Sequence, residues 1–146
     1  MRVVLQRVAE ARVTAGERSA AIGRGFLLLV GIEQGDTEAV GTWMAAKVAG
    51  LRVFEDGEGK LNLGLAEVGG EVLAVSQFTL AGSVERGRRP SFERAMAPGP
   101  ARALFDHFVG QLAGQGIPVR TGFFQEHMRV ALVNDGPVTL VIDRAP

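Results

Sequence analysis

Three short segments carry residue types that could do chemistry. The first is Ser76-Gln77-Phe78-Thr79-Leu80, which closes an apolar run. Polar side chains at the end of a buried strand each need a partner. The segment is therefore either a strand end meeting solvent or the mouth of a pocket. In the second case it supplies hydroxyls, an amide and backbone N–H groups. Those groups can hold an ester carbonyl and stabilise the oxyanion that forms when it is attacked. The second segment is Asn134-Asp135-Gly136-Pro137-Val138-Thr139. Gly-Pro between two strands is ordinarily a turn. A cis bond, accessible before proline, would instead present backbone carbonyls at fixed positions, with no glycine side chain to keep another molecule away. The third runs from Arg86 to Arg94, where Arg86, Arg88, Arg89 and Arg94 surround Phe92. Such a run is either a solvated face or a local grip on phosphate.

The rest of the composition narrows these options. The chain has 146 residues, 16 basic and 16 acidic, and no net charge. That length suits one domain, residues 1–146, with a single core. Zero net charge argues against a protein that coats nucleic acid by bulk electrostatics. There is no cysteine, so there is no disulfide, thiolate nucleophile or Cys-based zinc site. The two histidines, His107 and His127, are isolated, and no metal or cofactor site is read. Asp56 to Glu67 has acids at the first, third and twelfth positions of a calcium loop. Lys60 and Leu61 occupy its fifth and sixth positions, so that reading is rejected. No Walker loop, GxSxG elbow, HExxH or GxGxxG is present. No signal peptide or bilayer-spanning run is seen, which points to a soluble cytoplasmic protein without membrane contact.

These segments must be positioned by a mostly stranded chain. Val3, Val4, Leu5 and Val8 predict a first strand, and Ala11, Val13 and Ala15 a second, with a turn at Gly16-Glu17. Phe26 to Val30 reads as a strand buried on both faces. Asp36 is the expected N-cap of a helix whose stripe is Val40, Met44, Val48 and Leu51, with Trp43 a core or interface aromatic beside it. Arg52 to Glu55 and Gly70 to Phe78 read as strands. Pro98-Gly-Pro100 opens a second helix with Leu104, Phe108 and Leu112 on one face. Met128, Val130, Leu132 and Val138, Leu140, Ile142 predict two closing strands. The pattern fits an α+β fold: curved, largely antiparallel β-sheets forming a barrel-like core covered by two main helices.

At this point a family is recognisable. The chain resembles the D-aminoacyl-tRNA deacylases, first described as D-tyrosyl-tRNA deacylases, over its whole length. The matching segments include Gln6-Arg7-Val8, LRVFEDGEGKLN from Leu51 to Asn62, GRRPSF from Gly87 to Phe92 and Gly116-Ile117-Pro118. The two signature motifs, SQFTL from Ser76 and the GPVT element within NDGPVT, are intact. The resemblance implies a homodimer that hydrolyses the ester joining a D-amino acid, or misloaded glycine, to the terminal adenosine of tRNA. It implies a catalytic site of Ser76, Gln77, Phe78 and Thr79, completed by the partner's Gly136 and Pro137 in the cis form. Rigid carbonyls there would overlap an L side chain, so one site would serve every D-amino acid.

The family also places Arg7 near the Gly-Pro element, where its guanidinium would hold local carbonyls or the Asp135 carboxylate. An ordinary strand-face arginine is the alternative. Arg86, Arg88 and Arg89 become candidate tRNA contacts. Phe124 and Met128 would pack against the terminal adenine or, alternatively, belong to the core. No general base is evident in the sequence. The family's proposed answer is assistance by the ribose 2′-OH of the substrate, and the alternative is Thr79 as nucleophile. A non-catalytic RNA-binding module and a general small-ester hydrolase are the competing readings.

Overall fold

One strand organises the molecule. In the computed structural model, which describes residues 1–146, Arg2–Ala15 forms a single strand, β1, rather than the two expected. It is followed by β2 (Arg18–Ile22), β3 (Gly25–Gly31), α1 (Glu38–Gly50), β4 (Phe54–Glu55), β5 (Leu61–Leu63) and β6 (Glu71–Ser76). After a 3-10 turn at Phe78–Ala81 come α2 (Pro98–Ala113), β7 (Val119–Thr121) and β8 (Arg129–Asp143).

The main sheet runs β2-β1-β3-β6-β7, with β8 on the other edge of β1. The pairings of β1 with β2, β3 and β8 are antiparallel. Those of β3 with β6 and of β6 with β7 are parallel, so the sheet is mixed. β2 also lies against β6 and β7, which rolls the sheet into a nearly closed barrel. The expected α+β architecture, a barrel-like sheet covered by two helices, is what the chain adopts.

Side-chain parity explains why β1 reads as two strands. Val3 and Leu5 pack in the cluster that faces the helices, whereas Val8, Ala11 and Val13 pack in the barrel's own core. Irregular register near Val8 shifts the odd-numbered residues from one face to the other. The strand thus leaves the helix-covered layer and wraps into the barrel without breaking. Phe26, Leu28 and Val30 of β3 face the helices while Leu27 faces the barrel interior. Burial on both faces is the reason for its unbroken apolar run.

Helix α1 buries Val40, Met44 and Val48, and α2 buries Leu104, Phe105, Phe108 and Leu112. His107 of α2 meets Thr42 of α1 through Nε2 at 2.9 Å, a structural role. The α1 N-cap is Thr37, whose hydroxyl accepts the Val40 N–H, and not Asp36. Asp36 is buried and committed elsewhere: its carboxylate binds the Met1 ammonium at 2.7 Å and accepts the Glu33 N–H at 2.8 Å. Trp43 lies under the cations of Lys47 and Arg144.

Three further expectations are corrected. Of Arg52 to Glu55, only Phe54–Glu55 is strand. β6 spans only Glu71–Ser76, and Phe78 already belongs to the turn that follows. The two closing strands are one, β8, continuous through Gly136-Pro137. Short β2 and β7 were not anticipated, because their runs are too brief to show a period. No helix is long and apolar enough to cross a membrane.

Candidate active site

The end of β6 is shaped by a close approach. Gln77 donates its backbone N–H to the Val30 carbonyl at 2.8 Å, continuing the pairing with β3 for one residue. The chain then turns tightly through Phe78–Ala81. The turn packs on Gly31, where an added Cβ would lie 2.8 Å from the Leu80 Cβ and 3.2 Å from the Gln77 carbonyl. Glycine at this position lets the turn sit directly on the sheet. The Gln77 side-chain amide is hydrogen-bonded to the Thr79 hydroxyl. The leading N–H groups of such a turn, those of Phe78 and Thr79, have no partner within it.

Ser76, Gln77 and Phe78 line an open cavity of about 760 Å³. Its opposite wall is the loop between β7 and β8, including Phe124, His127 and Met128. Phe78, 57% exposed, meets Phe92 edge to face with ring centres 5.3 Å apart. The cavity therefore combines polar groups at a strand end with exposed aromatic surface. Thr79 is exposed beside it but does not line it. Arg86, Arg88 and Arg89 are exposed on a loop closed by paired backbone bonds between Ser83 and Ser91. They do not line the cavity, and Phe92 connects their loop to its mouth.

The Gly-Pro element is built by β8 against β1. Gln6 pairs with Thr139 and Val8 with Asn134, so residues 135–138 stand opposite Arg7 alone. The excess forms a wide bulge. Its base is closed by Asn134, whose side chain accepts the Val138 N–H at 2.9 Å and donates to the Val138 carbonyl at 3.2 Å. Thr139 receives the amides of both Gln6 and Asn134 on its hydroxyl. Arg7, 6% exposed, fills the space beneath. It donates to the Asp135 carbonyl at 2.7 Å and to the Val53 carbonyl at 2.8 Å. Of its two expected partners, it takes the carbonyl of Asp135 and not the carboxylate. The Gly136-Pro137 bond is cis, and both residues are exposed.

The two signature segments do not meet within one chain. Ser76 aligns with Val30 and Val30 with Val3, whereas Gly136-Pro137 lies opposite Arg7, beyond β1. At about 3.3 Å per residue and about 4.8 Å per strand, they are ~20 Å apart over the sheet. Neither Gly136 nor Pro137 lines the cavity. The sequence reading also missed part of the cavity wall, formed by Ile32, Ala95, Met96 and Ala101. Apolar residues carry no chemical signature; closeness to Phe92 in the chain could have pointed to Ala95, Met96 and Ala101, whereas nothing in the sequence singles out Ile32.

Comparison with known proteins gives a consistent result. The family model for D-Tyr-tRNA(Tyr) deacylase matches residues 4–143. A D-aminoacyl-tRNA deacylase of Geobacter sulfurreducens is 56% identical over 144 residues, covering 98% of this chain and 95% of that protein. One of Thermomicrobium roseum is 56% identical over 146 residues, covering 99% of this chain and 95% of that protein. A solved structure described as c-Myc DNA Unwinding Element Binding Protein superposes with a TM-score of 0.93 at 39% identity, over 100% of both chains.

Replacing Arg7 by Met would keep the buried stem but leave two carbonyls without their donor. The expected loss is about 2–4 kcal/mol of unfolding free energy, measured by denaturant titration. A loss below about 0.5 kcal/mol would show that Arg7 does not hold the bulge.

Proposed function

The chain belongs to the D-Tyr-tRNA(Tyr) deacylase family and is a hydrolase that deacylates D-aminoacyl-tRNA, and we propose that its site is completed across two copies. One observation carries this reading. Ser76, Gln77 and Phe78 line an open cavity, while the exposed Gly136-Pro137 bulge stands on a distant part of the same sheet. A second copy reconciles the two, each bulge entering the other's cavity. The free edge of β8, with Val133 and Val141 50% and 62% exposed, is the kind of surface a partner covers. Residues 1–146 act as one domain in the cytoplasm, without cofactor.

Selection then works by exclusion. The Gly136 and Pro137 carbonyls stand where an L side chain would project from the bound amino acid. Carbonyls of a backbone bulge that Arg7 anchors at Asp135 cannot rotate aside as a side chain could. D side chains point to the open part of the cavity, and glycine, lacking a side chain, passes. The ester carbonyl is held by the Ser76–Thr79 segment, whose free N–H groups stabilise the developing oxyanion. Phe124 and Met128 pack on the terminal adenine. Arg86, Arg88 and Arg89 hold backbone phosphates further along the acceptor end.

Hydrolysis also needs a base. Thr79 is engaged by Gln77 and has no adjacent base, which makes it a poor nucleophile. We assign the proton transfer to the ribose 2′-OH of the substrate, which takes a proton from the attacking water as it passes its own to the departing ribose oxygen. His127, on the cavity wall, is the group that a second reading would use.

A panel of D-tyrosyl-, L-tyrosyl- and glycyl-tRNA with a free D-tyrosine ester tests the function. Hydrolysis of the D and glycyl substrates, with the L form and the free ester spared, is expected. Turnover of the free ester would instead indicate a general esterase, and tRNA binding without cleavage a binding module. A 2′-deoxy terminal adenosine is expected to slow hydrolysis by about a hundredfold or more. Equal rates on the two substrates, with activity lost in His127→Gln, would transfer the role to His127. Thr79→Ala should retain activity within about tenfold, and a loss of many orders of magnitude in a folded variant would restore Thr79 as nucleophile.

A further inference from the structure

The loop between β7 and β8 forms one wall of the cavity, and it holds the single non-glycine residue with positive φ, Gln125 at 61°. That conformation disfavours an L side chain, so something outside the residue must maintain it. Within the loop the restraints are few. Gly122 donates its N–H to the Ala74 carbonyl at 2.9 Å, and Glu126 donates to the Phe123 carbonyl at 3.2 Å. The Phe123 N–H reaches the Met128 sulfur at 3.3 Å. The bond between Glu126 and Phe123 closes a four-residue turn with Gln125 as its third residue, so the turn keeps its shape only while Phe123 and Glu126 stay in place.

The remaining restraint comes from another strand. Arg18, in β2, places its guanidinium over the Phe123 ring at 4.4 Å and pairs with the Glu126 carboxylate. It therefore grips the residue two before Gln125 and the residue after it. Arg18 does not line the cavity, whereas Phe124, Gln125, Glu126, His127 and Met128 do. Arg102 of α2, over the Phe124 ring at 5.5 Å, steadies the wall from the helix side.

We propose that Arg18 is a positioning residue for substrate binding: by gripping Phe123 and Glu126 it holds the left-handed turn at Gln125 and so sets Phe124 and Met128 against the terminal adenosine. This rests on the reading of the cavity as the acceptor-end site. The planar guanidinium matters because its face lies over the ring while its edge pairs with the carboxylate, a fit that a compact ammonium makes less well. The role is in binding and not in the chemical step, so it acts on KM and leaves kcat in place.

The experiment is a double-mutant cycle on D-tyrosyl-tRNA hydrolysis, combining Arg18→Ala with Gln125→Gly. Glycine adopts positive φ freely, so it removes the need for the clamp. With Gln125 in place, Arg18→Ala should raise KM about fivefold with kcat within about twofold, and Arg18→Lys should fall between. In the Gln125→Gly background the same change should alter KM by less than about twofold. Equal effects in both backgrounds, or a fall in kcat alone, would overturn the assignment. NMR signals of the His127 imidazole and Phe124 ring, compared without substrate between wild type and Arg18→Ala, separate the two layers. Shifts that move while KM stays constant keep the clamp and overturn the acceptor-end reading of the cavity. Signals that do not move overturn the clamp itself.

Discussion

The arrangement of the site follows from β1 lying between β8 and β3. The strand carries the Gly-Pro bulge on one edge and, through β3, the end of β6 beyond the other. No local adjustment of the chain brings these together, because both are hydrogen-bonded into the sheet. The chain therefore displays two separate features. One is an open cavity edged by the polar end of β6 and an exposed phenyl ring. The other is a projecting knob of backbone, held from below by a buried arginine. In the proposed dimer each knob enters the other copy's cavity.

Rigidity is concentrated at the knob. Asn134 replaces a strand partner for Val138, Thr139 gathers two amides, and Arg7 is held by carbonyls from two elements. On the proposed reading this knob is a steric filter, and discrimination between mirror images by exclusion is only as good as the stiffness of the excluding group. The cavity wall is different in kind. It relies on exposed pairs and aromatic contacts, each a weak restraint, and on the proposed reading it faces the part of the substrate common to every aminoacyl-tRNA.

Much of this was legible in the residues. The polar end of the β6 run, the Asn-Asp-Gly-Pro segment and the amphipathic stripes of both helices each express a local rule. What escaped was set at long range. Asp36 is an ordinary capping residue by type, but the Met1 ammonium claims it and Thr37 caps instead. The bulge in β8 looked like a turn because Gly-Pro usually is one. Only the register against β1 shows that the strand continues past it. β1 looked like two strands because its core-facing parity changes midway. The small apolar wall residues from Ala95 to Ala101 are positioned by tertiary packing alone.

The absence of cysteine fits a site built from backbone groups, hydroxyls and a substrate hydroxyl. In the proposed dimer the cavity and the filter belong to different chains. The direct measurement is subunit complementation with two defective variants, Gln77→Ala in the cavity and Pro137→Ala in the filter, unfolded and refolded together. A hybrid dimer then holds one site with both defects and one with neither. At equal amounts, only the quarter of dimers that pair two Pro137→Ala chains keep an intact cavity beside an altered filter, so hydrolysis of L-tyrosyl-tRNA should fall to about a quarter of that of Pro137→Ala alone. A fall to only about a half would place both elements in one chain and contradict the account.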